Sequence, residues 1–123
     1  MQVRRAIKIS VVIASAFVFP AAALAWHQPT RFERAQITAA ARNVSHAGTQ
    51  RVYVGQIHVS SVGPWASAGV TLYFNGQPDE AIDILHFRRG RWRNASIGSA
   101  GEWCIMPTVD QRNLGFSGDY PCE

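Results

Sequence analysis

The hydrophobic pattern of the chain changes its period from that of a helix to that of a strand. Apolar side chains between Ile37 and Val44 follow the i, i+3, i+4, i+7 spacing of one helical face. Thr30 and Glu33 precede this stretch with the spacing of a capping box, and Gly48 is typical of a helix end. We therefore predict one amphipathic helix of about four turns.

After this helix, four stretches are rich in β-branched residues or alternate in polarity, which predicts strands. The predicted strands are 51–60, 65–74, 80–88 and 91–98. Turn residues separate them at 62–64, 75–79 and 89–90. A further short helix is predicted over 107–114. The order predicts an α+β fold, in which one N-terminal helix packs on a four-stranded antiparallel meander.

The segment HFRRGRWRN, residues 86–94, places four arginines around one glycine. A two-residue loop at 89–90 places Arg88 opposite Arg91, Phe87 opposite Trp92, and His86 opposite Arg93. The two aromatic side chains then share one face, which we predict to be the core side. The arginines and the histidine share the other face.

Farther from this loop the pattern inverts. Ile82 and Ile84 fall on the arginine side, whereas Asp83 and Asn94 fall on the aromatic side. One flat sheet cannot bury both sets of apolar residues. We therefore predict a strong bend, a β-bulge, or a longer loop with a shifted register.

The first 25 residues have the three parts of a secretory signal peptide. Arg4, Arg5 and Lys8 precede the apolar stretch 9–19, and the small-residue pattern of 23–25 follows it. We predict cleavage after Ala25 and secretion to the periplasm, the cell wall or the medium. Residues 26–123 would then form one small α+β domain without a membrane span.

Removing this segment changes the charge of the molecule. The whole chain carries 12 lysines and arginines against 8 acidic residues, with a pI near 9.7. Three of the cations lie in the predicted signal peptide, which leaves nine against eight and no lysine at all. The overall charge therefore indicates no particular partner.

Cys104 and Cys122 are the only cysteines. In an exported protein such a pair predicts a disulfide, whereas a reactive thiol or a metal site would favour a neighbouring histidine. Closing this loop would contribute about 3 kcal/mol to the free energy of unfolding. We predict that the bridge fastens a short C-terminal segment to the sheet.

The remaining residues contain no recognisable catalytic set. There is no G-x-S-x-G turn, no free thiol, and no lysine after the predicted cleavage site. No metal-binding motif frames His58 or His86, which we expect to be partly buried sheet residues. We therefore predict no catalytic residue, no metal and no cofactor, and favour binding over catalysis.

The element order resembles the cystatin-like superfold, which includes nuclear-transport-factor-2-like domains. The chain also resembles small exported actinobacterial proteins of unknown function. That resemblance covers residues 51–122 and depends on the hairpin 85–93, the small-residue segment 98–101, Cys104, Pro107, Val109, Leu114-Gly115 and Cys122. It implies a fold and a compartment but no chemistry.

Two alternative functions follow from this resemblance. A nuclear-transport-factor-2-like pocket, lined by His58, Tyr73 or His86, would bind or convert a small apolar molecule. Cystatin-type protease inhibition is a minor alternative. Cystatin-type inhibitors carry a Gln-x-Val-x-Gly hairpin, and residues 50–55 have one extra residue before the glycine of that motif. Those inhibitors carry a Pro-Trp pair in a later hairpin, whereas Pro64-Trp65 follows the first strand here.

The leading expectation is a binding domain with an anionic ligand. Arginine forks donate paired hydrogen bonds to phosphate or carboxylate groups. The predicted ligands are phosphate, a polyanionic wall polymer or an acidic protein, and nucleic acid is not expected because Phe87 and Trp92 point away. The alternative is a soluble hairpin end, with its charges offset by Asp79, Glu80 and Asp83. The predicted anion-binding residues are Arg88, Arg89, Arg91, Arg93 and His86.

Overall fold

The computed structural model describes residues 25–45, 51–116 and 121–122. The elements are α1 (Arg31–Ser45), β1 (Arg51–Val59), β2 (Trp65–Phe74), β3 (Gln77–Arg88), β4 (Arg91–Gly98), a 3₁₀ turn (Glu102–Ile105) and α2 (Thr108–Asn113). The predicted signal peptide, apart from Ala25, and the predicted helix end at Gly48 lie outside the described residues. No described helix is both long enough and apolar enough to cross a membrane.

Helix α1 begins at the capping box that the sequence predicts. The amide of Thr30 donates to Oε1 of Glu33 at 2.8 Å, and the amide of Glu33 donates to Oγ1 of Thr30 at 3.1 Å. The two bonds satisfy amides that have no partner inside the helix. On the predicted apolar face, Ile37 and Ala41 are completely buried, which confirms that this face packs against the sheet.

The four strands form one antiparallel meander in the order β1-β2-β3-β4, as predicted. The predicted turn at 75–79 is wrong in length, because only Asn75 and Gly76 form the loop and β3 begins at Gln77. Both loop residues have positive φ, 51° and 80°, as a two-residue hairpin loop favours. Pro78 pairs with Tyr73 in the part of β3 that β4 does not reach, so its missing N–H costs no bond to β4.

The β3–β4 hairpin has the predicted register. Arg88 pairs with Arg91, Phe87 with Trp92, and His86 with Arg93, around a loop of Arg89 and Gly90. Beyond His86 the register shifts, because Leu85 pairs with Asn94 whereas Ile84 pairs with Ser96. Ala95 is therefore the extra residue of a β-bulge, which confirms one of the ways predicted to reconcile the two halves of the hairpin.

Both faces of the sheet are covered, each by a different part of the chain. On the face that contacts α1, called the helix face, one buried cluster contains Ile37, Ile57, Val59, Ala66, Ala68, Leu85 and Trp92. On the opposite face, called the C-terminal face, Ile84 is buried against Met106 and Leu114. Trp26, Trp65, Ile82, Trp103 and Phe116 pack around that second cluster. Ile82 and Ile84 therefore point away from α1, and Ile84 is completely buried whereas Ile82 is partly buried.

The predicted disulfide between Cys104 and Cys122 is present, with a Cα–Cα distance of 5.4 Å. Cys104 lies in the 3₁₀ turn, and Cys122 lies near the end of the chain. Neither cysteine is free. The bridge therefore fastens the segment that covers the C-terminal face, and it holds the predicted α2 helix, Thr108–Asn113, within the same loop.

Candidate anion-binding site

The loop end of the β3–β4 hairpin presents a concentrated positive charge. Arg88, Arg89, Arg91 and Arg93 are all exposed within six consecutive residues. Arg88 and Arg91 are directly opposite each other, an arrangement that is unfavourable for like charges unless solvent or an anion screens them. Alternation along the strands places the side chains of Arg88, Arg91 and Arg93 on the C-terminal face. We call these four arginines the arginine patch.

The acidic residues expected to offset this charge lie elsewhere. Asp79 and Glu80 lie near the start of β3, eight or more residues from Arg88 and so about 26 Å away along an extended strand. Asp83 is completely buried on the helix face, where the side-chain amide of Asn94 donates to its Oδ1. Within the described parts of the chain, no carboxylate forms an ion pair with any arginine of the patch.

Asp110 of α2 is the acidic residue whose charge acts on His86, at the base of the arginines. Its carboxylate is buried and accepts a hydrogen bond from Oγ of Ser60 at 2.8 Å. Gly63 lies against the same carboxylate, because a Cβ at this position would overlap with Oδ1 of Asp110. Asp110 is therefore engaged in holding α2 against the loop that precedes β2.

His86 belongs to the base of the patch. Its ring stacks on Trp65, with centroids 4.1 Å apart and 19° between the planes. Burial lowers the pKa of His86, the charge of Arg88 lowers it further, and the charge of Asp110 opposes both effects. The ring is therefore mostly neutral at pH 7, and the arginines supply the positive charge.

Two aromatic residues anchor the hairpin from the helix face. Trp92 is only 8% exposed and belongs to the core, as predicted. Phe87 lies on the predicted face, with its ring centroid 5.3 Å from that of Trp92, but its ring is 39% exposed, so the prediction that it is a core residue is wrong. Phe87 is next to last in β3. Its backbone is nevertheless held, because its amide donates to the carbonyl of Pro64 at 2.9 Å.

The two sheet histidines do not form a joint site. His58 and His86 are on the same face but in β1 and β3, with β2 between them and a register offset of two residues, so their backbones are about 12 Å apart. Each stacks on its own tryptophan, because His58 packs on Trp26 at a centroid distance of 3.6 Å. The described residues contain no cluster of three or more side chains suited to a metal ion.

Two open grooves mark the surface of the described residues. One, of about 650 Å³, lies between α1 and β4. The other, of about 430 Å³, lies over the sheet beside Gly55 and Gly69. Neither is lined by His58, Tyr73 or His86, so the small-molecule pocket stays a prediction. Trp65, the residue on which the cystatin comparison depends, is half-buried against His86.

The groove between α1 and β4 was not predicted from the sequence. Its helical wall consists of Gln36, Ala39, Ala40 and Asn43, and its other wall consists of residues 91–94. The helical residues follow the i, i+3, i+4, i+7 spacing of a stripe beside the apolar face. The stripe is visible in the sequence, but its position next to β4 depends on how α1 crosses the sheet.

The hairpin thus combines a fixed backbone with four exposed guanidinium groups. Trp92 holds it from the helix face, the stack of Trp65 and His86 holds it from the C-terminal face, and the bond to Pro64 holds its stem. Comparisons of this chain with protein-family models, with curated proteins and with solved structures found no match.

Proposed function

We propose that this protein is a secreted, non-enzymatic binding domain whose arginine patch holds an anionic ligand. The observation that carries the proposal is the charge arrangement at the hairpin end. Four guanidinium groups are exposed there, and none has an ion-pair partner among the described residues. An anion bound between them would relieve the repulsion between Arg88 and Arg91.

The chemistry of arginine selects the ligand class. A guanidinium group keeps its charge at every physiological pH and presents a planar fork that matches two oxygens of a phosphate or carboxylate. Several forks on one short hairpin suit a ligand with repeated anionic groups. The ligand is accordingly a polyanionic wall polymer, a phosphorylated molecule or an acidic protein.

The firm attachment of the hairpin supports binding at modest entropic cost. Trp92 is buried in the helix-face core, and the backbone of Phe87 is bonded to Pro64. Because the strands are already ordered, ligand binding needs to fix only the arginine side chains. Preorganisation of this kind increases affinity without additional contact area.

The disulfide between Cys104 and Cys122 supports the proposal that the protein is secreted. Bridges such as Cys104–Cys122 persist in oxidising compartments and are rare in the cytosol of most organisms. The n-region, apolar stretch and small-residue pattern of residues 1–25 are those of an exported precursor. The ligand is therefore expected at the cell envelope or outside the cell.

Retention on a heparin column across a salt gradient tests the proposal. The test variant is the triple substitution Arg88→Gln, Arg91→Gln and Arg93→Gln, which removes three charges from the patch. The matched control, Arg31→Gln with Arg42→Gln and Arg51→Gln, removes three exposed charges from α1 and from the start of β1. Far-ultraviolet circular dichroism and thermal unfolding establish that both variants are folded.

The proposal predicts that the patch variant elutes at clearly lower salt than the wild-type protein, whereas the control elutes close to it. Equal retention of the wild-type protein and the patch variant would overturn the proposal. Equal losses in both variants would also overturn it, because retention would then follow net charge rather than this site.

A further inference from the structure

We infer that the groove between α1 and β4 binds an extended acidic segment of a partner protein, which adds to the sheet as a fifth strand. This inference rests on the proposed function, because the arginine patch supplies the charge recognition. It goes further by naming the ligand as a polypeptide and by assigning a second binding element. Addition of a strand to an exposed sheet edge is an established mode of peptide recognition.

Strand β4 offers the free edge that such an addition needs. It is the last strand of the sheet, and it lies beside the arginine patch, whereas the other edge strand, β1, has one bridge to His27 at its end, Val59. The amide of Phe87 donates toward β2, to the carbonyl of Pro64. Phe87 and Trp92 are therefore not a hydrogen-bonded pair of the β3–β4 ladder. The backbone N–H and C=O of Trp92 consequently point away from β3, toward the groove.

The walls of the groove fit a polypeptide backbone. Ala39 and Ala40 have short side chains, which leaves space between the helix and the edge strand. The groove volume of about 650 Å³ lies within the range of about 300–1,000 Å³ that is usual for ligand sites. Oε1 of Gln36 is buried and has no hydrogen-bond partner among the described residues, so it can accept a bond from an incoming amide.

The alternation of a strand predicts the sequence that would bind. Successive side chains of an added strand point to opposite faces of the sheet. One set would lie on the helix face beside Ala39 and Trp92, where small or apolar side chains fit. The other set would lie on the C-terminal face, beside Arg91 and Arg93, where carboxylates fit. The expected segment therefore alternates acidic residues with small apolar ones.

A fluorescently labelled peptide that alternates glutamate with alanine and valine is the probe. Ala39→Trp fills the groove, and Ala35→Trp places the same ring at an exposed position of α1 that does not line it. A second peptide of the same sequence carries backbone N-methyl groups, which keep the charges and remove donors. Fluorescence anisotropy measures binding, and heparin retention is measured for each protein.

The inference predicts that Ala39→Trp weakens binding of the peptide by about tenfold or more, whereas Ala35→Trp does not. The N-methylated peptide binds the wild-type protein with a similar loss, and heparin retention is the same for all three proteins. Equal binding of the peptide by Ala39→Trp and wild-type protein would overturn the groove assignment and leave the arginine patch intact. Retention on heparin without any peptide binding would also overturn it, in favour of a polymeric ligand. Loss of peptide binding and of heparin retention in the triple arginine-to-glutamine variant of the patch, with both unchanged in Ala39→Trp, would overturn the groove assignment as well. The arginine patch alone would then account for recognition.

Discussion

Trp65 and His86 are directly opposite residues of β2 and β3, and their rings stack with centroids 4.1 Å apart. The tryptophan removes water from one side of the imidazole, and this burial is the main cause of the lowered pKa of His86. His86 therefore connects the arginine patch to the sheet and carries little positive charge at neutral pH. Below its pKa it adds a positive charge.

The ring of His86 should titrate below the ordinary value of 6.5 in an NMR titration. Trp65→Leu uncovers the ring, so the pKa of His86 should move back toward 6.5. Trp26→Leu is the matched control, because Trp26 stacks on His58 instead. An unchanged pKa of His86 in Trp65→Leu would contradict the assigned cause.

Asp83 should make the protein less stable at alkaline pH. Burial raises its pKa from 3.8 to about 7, and the hydrogen bond from Asn94 only partly opposes this. The folded state therefore binds the proton more tightly than the unfolded chain does. The contribution is most favourable below pH 3.8 and is lost as the pH rises through about 7.

Asp83→Asn should raise the free energy of urea unfolding by about 4 kcal/mol at pH 8, and by less than half as much at pH 5. The asparagine keeps an oxygen for Asn94 and carries no charge. Asp79→Asn, at an exposed position of the same strand, is the control. An equal effect of Asp83→Asn at the two pH values would contradict the buried-carboxylate interpretation.

Removal of the disulfide should destabilise the whole domain, because the loop that it closes covers the C-terminal face. Replacing Cys104 and Cys122 with serine should lower the free energy of unfolding by about 3 kcal/mol. Urea unfolding of the double variant, followed by tryptophan fluorescence, measures this. Wild-type protein purified without reductant should contain no free thiol, and a positive thiol assay would contradict the bridge.

The capping box should contribute measurably to the stability of α1. Thr30→Ala removes the hydroxyl that accepts the amide of Glu33, and we expect a loss of about 1 kcal/mol in thermal or urea unfolding. Glu33→Gln keeps an acceptor for the amide of Thr30 and should cost less. A larger loss in Glu33→Gln than in Thr30→Ala would indicate that charge, rather than the paired hydrogen bonds, stabilises this end.

Local pattern was sufficient to predict most of the elements and the register of the hairpin. The period of the apolar residues locates α1 and the strands, and the Arg89-Gly90 loop determines which residues of β3 and β4 are opposite. The inverted polarity of the two strands predicts an irregularity in the hairpin, and the β-bulge at Ala95 is one of the alternatives that it left open. These features depend on neighbours in the sequence or on one tight turn.

Features that depend on distant parts of the chain were not predictable in the same way. The burial of Ile84 requires Met106 and Leu114 to fold back onto the C-terminal face. The exposure of Phe87 and the groove beside Ala39 depend on where α1 crosses the sheet. Asp79 lies at the opposite end of β3 from the arginine patch, a separation that the predicted strand over 80–88 already implied.

The salt dependence of polyphosphate affinity tests the central claim most directly. Binding of fluorescent polyphosphate is measured at several salt concentrations for the wild-type protein, the triple arginine-to-glutamine variant of the patch, and its three-charge control. Each arginine–phosphate contact contributes about 0.7–0.9 to the slope of log K against log salt. We predict that the patch variant loses about two to three from this slope, whereas the control loses almost nothing. Equal slopes for the wild-type protein and the patch variant would contradict the account.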